Sequence, residues 1–393
     1  MPLRALWAHN WAVWAMPVTL LVVATMNNRQ LVFFDQYPLW LAAQKTEALT
    51  VLGMVTCLAG AAEGGWLRRS RLVVRPAARS TWARFAVPVV AAWLPTAAVL
   101  LAGVVAVGGG GGWQVWSTAL LSLLAWTWVG FAGGIVFRGV IALPLSIVIA
   151  FGWFDFTPAV EPPWLRQLTG AWGGCCDTGS VPNASVSAEV VLVAIGLILG
   201  SSCVVWAWSR PIGRRFGWAA LAPVVAGLVV AASLIGGVGH SPTQPRSDAV
   251  VCRSGAPELC FWPERDPYVD SDLASLRTIL DHWAGLGVEL PGRLSEDAAA
   301  AGGQAAPLVY SHSDTSERRA ESLAQGLASG CPVGRDGLLG YHVVKDWLTI
   351  HSGVAGLDGM VSDPDALLPL LTEPEAEQVR QINQALAASL ARG

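Results

Sequence analysis

The stretch WQVWSTALLSLLAWTWVGFAGGIVFRGVIALPLSIVIAFGWFDF, residues 113–156, decides the fold class of this chain. Before its last turn the only charged residue is Arg138. A helix rises 1.5 Å per residue, so about 20 apolar residues cross a hydrocarbon core of roughly 30 Å. The stretch therefore predicts two membrane-spanning helices, over residues 113–137 and 139–156, that are joined by a turn at Arg138.

Five further apolar runs extend this prediction to an α-helical polytopic membrane protein with about seven transmembrane helices. The predicted spans are residues 7–26, 48–66, 85–107, 113–137, 139–156, 188–208 and 218–238. The first resembles an uncleaved signal anchor, because no small-x-small cleavage site follows it. The composition agrees with this class, since 53% of the 393 residues are hydrophobic and only 13% are charged.

Charge divides the chain into a predicted transmembrane domain, residues 1–239, and a predicted globular domain, residues 240–393. The first carries 14 Lys and Arg against 7 Asp and Glu, whereas the second carries 11 against 21. Nucleic-acid binding requires a basic face that replaces the counterions of the phosphates. The acidic second domain gives no support to nucleic acid as a partner.

The distribution of basic residues predicts a cytoplasmic N-terminus and a C-terminus outside the cytoplasm (N-in/C-out). The eleven positive residues that this orientation leaves inside are Arg4, Arg68, Arg69, Arg71, Arg75, Arg79, Arg84, Arg138, Arg210, Arg214 and Arg215. The outer loops would hold three, Arg29, Lys45 and Arg166. This bias follows the positive-inside rule. Six spans would weaken the bias, because Arg210, Arg214 and Arg215 would then lie outside. With Arg outnumbering Lys 23 to 2, as in GC-rich bacteria, we expect a multi-pass protein of the bacterial plasma membrane.

Cysteine spacing predicts a disulfide just after the last span. Cys252 and Cys260 lie in two short β-prone runs around a Gly and Pro turn, so they can face each other across a hairpin. An oxidising compartment would preserve that bond. The pairing of Cys175, Cys176 and Cys331 stays open. A metal site is the rival interpretation, but neither C-x-x-C nor C-x-x-H spacing is present.

Beyond the hairpin, periodicity predicts a small extracytoplasmic α+β domain that is mainly helical. Asp270 is expected to cap a helix whose apolar stripe begins at Leu273. Residues 307–310 suggest a short buried strand, and Asp314 is expected to open a helix that ends near Ser329. A flexible loop is predicted at residues 298–306, and the last helix begins near Thr372.

No sequence motif for catalysis is present, and we expect neither an enzyme nor a bound cofactor or metal. The chain lacks H-E-x-x-H, G-x-S-x-G and nucleotide-hydrolysis motifs. Ser311, His312, Ser313 and Asp314 resemble parts of a catalytic triad. Residues adjacent in a chain rarely reach triad geometry, so a helix-capping turn is the favoured interpretation.

Charges inside the spans would indicate an ion-driven carrier, because they are costly in lipid. The sequence places Asp155 and Glu189 at span ends, where we expect them to meet water at the outer face. Any transport would then draw its energy from another chain. A cytoplasmic ATPase subunit or anionic lipid headgroups would contact Arg68, Arg69, Arg71, Arg75 and Arg79.

Residues 250–293, with Val250-Val251-Cys252, Cys260-Phe261-Trp262-Pro263-Glu264 and Leu286-Gly287-Val288-Glu289-Leu290-Pro291-Gly292-Arg293, resemble a group of actinobacterial ABC-2-like transporter permeases and uncharacterised membrane proteins. The resemblance implies a permease-like subunit of an ABC-type export system, energised by a separate ATPase, in an oligomeric complex. The seventh span and the exported domain depart from the usual six-span permease. The alternative is a non-transporting sensor or scaffold that presents its outer domain to an envelope partner.

Overall fold

The computed structural model describes residues 11–27, 37–70, 81–106, 112–157, 168–172, 175–176, 179–209, 229, 233, 243–297, 305–331, 339–356 and 361–391. Backbone contacts divide the chain into two compact units. The membrane unit comprises Met1–Gln30 and Pro38–Pro245, and the C-terminal unit comprises Leu31–Tyr37 and Arg246–Gly393.

The membrane unit is a bundle of apolar helices. Its elements are α1 Trp11–Asn27, α2 Pro38–Lys45, a 3-10 turn Thr46–Ala48, α3 Leu49–Arg69, α4 Thr81–Ala106, α5 Trp113–Val136, α6 Gly139–Phe151 with a π turn Gly152–Phe156, β1 Ser180–Pro182, α7 Ala184–Ser209 and β2 Thr243–Pro245. The two short strands pair antiparallel.

Five helices of this unit are long and apolar enough to cross a membrane. They cover Leu39–Arg69, Arg84–Val105, Trp113–Val136, Gly139–Phe156 and Ala184–Ser209, which correspond to the second to sixth predicted spans. The first predicted span is α1, of which 17 residues are described. The seventh, residues 218–238, lies outside the described residues except for Val229 and Ser233. The chain is thus a polytopic helical protein, and a total of seven spans stays a prediction.

The second span begins earlier than the sequence predicted. The helical stretch starts at Leu39 and continues through the 3-10 turn into α3, so Lys45 is part of this helix. Lys45 is only 6% exposed. The reason is local: the Thr46 hydroxyl donates to the Ala43 carbonyl oxygen at 2.6 Å, which keeps the chain helical across the junction.

Helices α3 and α5 approach each other through two glycine pairs. Gly60 and Gly64 of α3 lie against the backbone of α5, while Gly130 and Gly134 of α5 lie against the backbone of α3. Both pairs have the G-x-x-x-G spacing, which lets helix backbones come close in lipid, where apolar burial provides little drive for association. This contact gives the bundle its most closely packed helix pair among the described residues.

The C-terminal unit contains a four-stranded sheet covered by helices. Its elements are β3 Val251–Arg253, β4 Glu258–Phe261, a 3-10 turn Pro263–Arg265, α8 Val269–Gly285, β5 Arg293–Ser295, β6 Ala306–Pro307, α9 Ser316–Ala328, α10 Tyr341–Ile350, α11 Pro364–Leu371 and α12 Glu375–Leu390. The strand order is β3-β4-β5-β6, in which β3 and β4 are antiparallel while β4, β5 and β6 are parallel. Trp283 and Trp347 are fully buried in its core.

Cys252 and Cys260 are direct partners in the β3–β4 register, and their sulfur atoms are at bonding distance. The structure thus agrees with the expected hairpin disulfide. It also joins Cys175 to Cys176, while Cys331 is buried with its Sγ 3.7 Å from the Ala385 carbonyl oxygen.

Several local predictions need correction. Tyr268, not Asp270, precedes the first residue of α8, and α10 was not anticipated. Thr315 caps α9 by accepting a hydrogen bond from the Arg318 backbone, whereas the Asp314 carboxylate accepts one from the Ser311 backbone. The last helix, α12, begins at Glu375, close to the predicted start near Thr372, whereas the preceding α11 was not anticipated.

Candidate functional site

Polar side chains of the C-terminal unit gather where its three parallel strands end. Strands β4, β5 and β6 point the same way, so the segments that follow them meet at one edge of the sheet. Ligands of α/β sheets bind at this carboxyl edge. We call the cluster there the carboxyl-edge site; it consists of Arg265, Tyr268, Asp272, Glu296, Tyr310, His312 and Arg319.

His312 and Asp272 form the centre of the site. Nδ1 of His312 lies 2.8 Å from Oδ1 of Asp272, and the Tyr268 ring packs on the imidazole at a centroid distance of 4.3 Å. An ionised carboxylate only accepts hydrogen bonds, so Nδ1 donates to Asp272 and Nε2 is the ring nitrogen left for another partner. The side chain of Asp272 is 2% exposed and that of His312 is 34% exposed. The pair therefore presents one edge of an oriented imidazole to solvent.

Arg319, in the first turn of α9, fixes the segment that carries His312. Its Nη2 donates to the His312 carbonyl oxygen at 3.0 Å and lies 3.6 Å from Oδ1 of Asp272. The residue is 9% exposed, and its Nε has no hydrogen-bond partner within the described parts of the chain. A buried guanidinium with a free donor is a position that a ligand acceptor or a water can occupy.

The floor of the site is a buried ion pair that ties the three strand ends together. Nε of Arg265 lies 3.0 Å from Oε1 of Glu296, and Nη2 of Arg265 donates to the Tyr310 carbonyl oxygen at 3.0 Å. Oε2 of Glu296 accepts from the Trp262 backbone at 2.7 Å. Burial raises the pKa of Glu296, although the Arg265 charge opposes that rise. The ion pair therefore holds the three strand ends together. Burying the two charges costs free energy, and their mutual attraction offsets that cost only while both partners are present.

Tyr310 completes the buried wall of the site. Burial, and secondarily the neighbouring carboxylates of Glu296 and Asp272, raise the pKa of its phenol. The hydroxyl lies beside the Asp272 carboxylate, which adds to this rise. The site thus contains buried groups of positive and of negative charge, and some of their atoms lack a hydrogen bond within the described residues.

The surface around the site is acidic. Asp266 and Asp270 are exposed beside the start of α8, where Asp266 pairs with Arg253, and Asp314 and Glu317 are partly exposed beside the start of α9, next to the exposed Arg318. The whole region 240–393 carries 21 acidic against 11 basic residues. Such a surface attracts cations and repels anions. The accessible ring edge of His312 inside this rim therefore suits a ligand that carries positive charge and donates hydrogen bonds.

The structure separates the residues that the sequence singled out. Cys252 and Cys260 belong to the hairpin, where the Cys260 carbonyl oxygen accepts from the Glu296 backbone at 3.0 Å, and Arg68 and Arg69 belong to the membrane unit. Arg71, Arg75 and Arg79 lie outside the described residues. With Glu258, the two cysteines place potential metal ligands within 4.8 Å of one another. The sulfur atoms are bonded to each other and Glu258 pairs with Arg293, so this arrangement does not favour a metal.

Residues 311–314 form a hydrogen-bonded turn directly before the cap of α9, as expected, but the partner of His312 lies 40 residues earlier in the chain and was not anticipated. One signal was available in the sequence. Asp272 interrupts the apolar face of α8, at helical spacing from the buried Leu276 and Ile279. An acidic residue on a buried helix face requires a partner, and the partner is His312.

Three comparisons with known proteins add no relative. No protein-family model, no curated protein and no solved structure matches this chain. A functional assignment must therefore rest on the site itself.

Proposed function

We propose that this chain is a bacterial plasma-membrane protein, N-in/C-out, whose C-terminal unit binds a cationic peptide outside the cytoplasm. The observation that carries the proposal is the His312 ring, which a buried Asp272 orients and an acidic rim surrounds. Lysine and arginine side chains of such a peptide supply the positive charge and the hydrogen-bond donors that this arrangement accepts.

Two observations support the outward orientation of this unit. The basic residues of the sequence concentrate in the segments that N-in/C-out places in the cytoplasm, as the positive-inside rule requires. In the C-terminal unit, Cys252 and Cys260 are at bonding distance, and such bonds persist in oxidising compartments outside the cytoplasm.

Replacing His312 with alanine is expected to weaken binding of a lysine- and arginine-rich decapeptide to the full-length protein in lipid nanodiscs. Loss of one hydrogen bond to a charged group, about 1.4 kcal/mol or more, corresponds to at least about a tenfold rise in Kd. Added salt should also weaken binding, because the acidic rim is screened. Isothermal titration of the wild type and the variant measures both effects.

His342→Ala is the matched control, because His342 is exposed on α10 and contacts Tyr341 instead of the carboxyl-edge site. It should bind the peptide as the wild type does. Equal affinity of the wild type and His312→Ala, or tighter binding of an acidic peptide of the same length, would contradict the proposed function.

A permease-like subunit powered by a separate ATPase is the second candidate, and one contact favours it. Nη1 of Arg68 donates to the Val136 carbonyl oxygen at 3.0 Å, which links the ends of α3 and α5. Arg69 donates to the Gly65 carbonyl oxygen of its own helix. The arginine-rich segment follows directly, so a protein bound there would act on the most closely packed helices of the bundle.

Charge reversal of the arginine-rich segment tests this second candidate. The change of Arg71, Arg75 and Arg79 to glutamate is expected to abolish co-purification of an ATPase subunit with the full-length protein from its native membrane. Arg138→Glu, which alters a basic turn between α5 and α6, is the control. If the wild type brings down no ATPase while liposomes with anionic headgroups bind the segment, lipid contact replaces the ATPase in this account.

A further inference from the structure

Glu189 is buried inside the membrane unit. It lies in the second turn of α7 and is 0% exposed. Neither of its carboxylate oxygens has a hydrogen-bond partner within the described ranges. Val186, Val190 and Val193 on the same helix are buried as well. The sequence had placed Glu189 in water at the end of a span, and the structure corrects that expectation.

The segment Leu168–Trp172 covers this end of the bundle, where α5 and α7 begin. Gly170 lies against the side chains of Val190 and Ser122. The segment is held by three hydrogen bonds: the Trp172 backbone to the Thr46 hydroxyl at 2.6 Å, the Trp172 indole to the Thr118 hydroxyl at 3.0 Å, and the Ser122 hydroxyl to the Thr169 carbonyl oxygen at 2.9 Å. Leu168, Thr169 and Trp172 are themselves buried. The covering segment therefore excludes water from the region next to Val190.

Among the residues that the structure describes, few charged groups are available to stabilise an ionised Glu189. Helix α5, which packs along α7, contains no titratable side chain, and neither does Leu168–Trp172. At the same end, the described parts of the other elements contribute Lys45, Glu47 and Asp155. Neither carboxylate oxygen of Glu189 has a hydrogen-bond partner among the described residues, Lys45 included. At the opposite end, the charged groups of the neighbouring helices are Glu63, Arg68, Arg69 and Arg84.

An isolated carboxylate in such surroundings costs several kcal/mol, whereas the neutral acid avoids most of that cost. We propose that Glu189 is a proton-binding site of the membrane unit, held as the neutral acid behind the segment Leu168–Trp172. Loss of the proton creates a charge that requires water, so ionisation is coupled to displacement of the covering segment. The ligand is the proton itself, and the site gives the bundle an ionisable group that responds to the outer medium.

Infrared spectroscopy of the full-length protein in nanodiscs at neutral pH tests the protonation. A neutral carboxylic acid has a carbonyl stretch above the amide band, and we expect Glu189→Gln to lose that band while Asp155→Asn retains it. A wild-type spectrum identical to that of Glu189→Gln would overturn the proposal. Disappearance of the band on adding sodium, but not choline, would identify a metal-cation site and overturn it as well.

Hydrogen exchange of the peptide that contains Thr169 and Trp172 tests the coupling. Amide exchange itself speeds up with pH, so the measured rate is first divided by the intrinsic rate. If ionisation opens the segment, this corrected exchange rate should rise by up to about tenfold per pH unit in the wild type. Glu189→Gln cannot ionise and should show no such rise. The same pH dependence in both proteins would overturn the coupling, and the infrared result decides the proton site independently.

Discussion

Replacing Gly130 with leucine is expected to prevent correct folding of the membrane unit. A side chain at this position would collide with the Cys57 carbonyl of α3, which is backbone and cannot rotate away. Overpacking of a core costs up to about 3 kcal/mol even where side chains can adjust, so a backbone collision should cost at least that much. Fluorescence-detected size-exclusion chromatography in mild detergent should show loss of the monodisperse peak.

Gly133→Leu provides the matched control on the same helix. No atom lies within 4 Å of a side-chain carbon built at Gly133, whereas Gly134 next to it lies against the Ala61 carbonyl. Gly133→Leu should therefore elute as the wild type does, and Gly134→Leu should fail as Gly130→Leu does. Equal behaviour of the leucine variants at positions 130 and 133 would refute the close contact of α3 and α5.

Replacing Arg265 with methionine is expected to be the most damaging single change at the carboxyl-edge site. It leaves Glu296 buried without its partner and removes the donor to the Tyr310 carbonyl. Removal of one partner of a buried ion pair costs about 3–5 kcal/mol. Chemical unfolding of the full-length protein, followed by hydrogen exchange of the C-terminal unit, should show the loss in β5 and the 308–312 segment first.

The double variant Arg265→Met with Glu296→Leu should recover most of that loss, because an apolar pair of similar volume removes the buried charge. Arg380→Ala, which breaks an exposed contact with Glu377 on α12, should leave the stability unchanged. No recovery in the double variant would mean that the hydrogen bond to Tyr310, and not the charge on Glu296, determines the effect of Arg265.

The features that depend on local sequence were predictable. Apolar runs of about 20 residues identify helices such as α5 and α7 because lipid requires that length of apolar chain. The eight-residue separation of Cys252 and Cys260 gives their pairing because a short hairpin places them opposite each other. The G-x-x-x-G spacing at Gly130 and Gly134 was also visible, although its partner helix was not.

Features that depend on long-range packing were not predictable from one sequence. The pairing of Asp272 with His312 requires the parallel arrangement of β4, β5 and β6, which no local pattern specifies. Glu189 was expected in water because it lies near the end of an apolar run. Whether such a residue is wet depends on the chain that packs around it, and here Gly170 of the segment Leu168–Trp172 lies against the adjacent Val190.

Under the proposed N-in/C-out orientation, the carboxyl-edge site would meet a ligand outside the cell. If this unit faced the cytoplasm, its disulfide would meet reducing conditions and its acidic rim would meet a different set of ligands. The side of the membrane on which this unit lies therefore determines which of the proposed roles is physically possible.

Labelling of Cys252 in intact cells with a membrane-impermeant maleimide tests this location most directly. Cys252 is exposed, while its partner Cys260 is buried. The account predicts no label at Cys252 before reduction and strong label after an impermeant phosphine is added to intact cells, as read by peptide mass spectrometry. Label that appears only after lysis, with no dependence on the reductant, would contradict both the outward orientation and the disulfide.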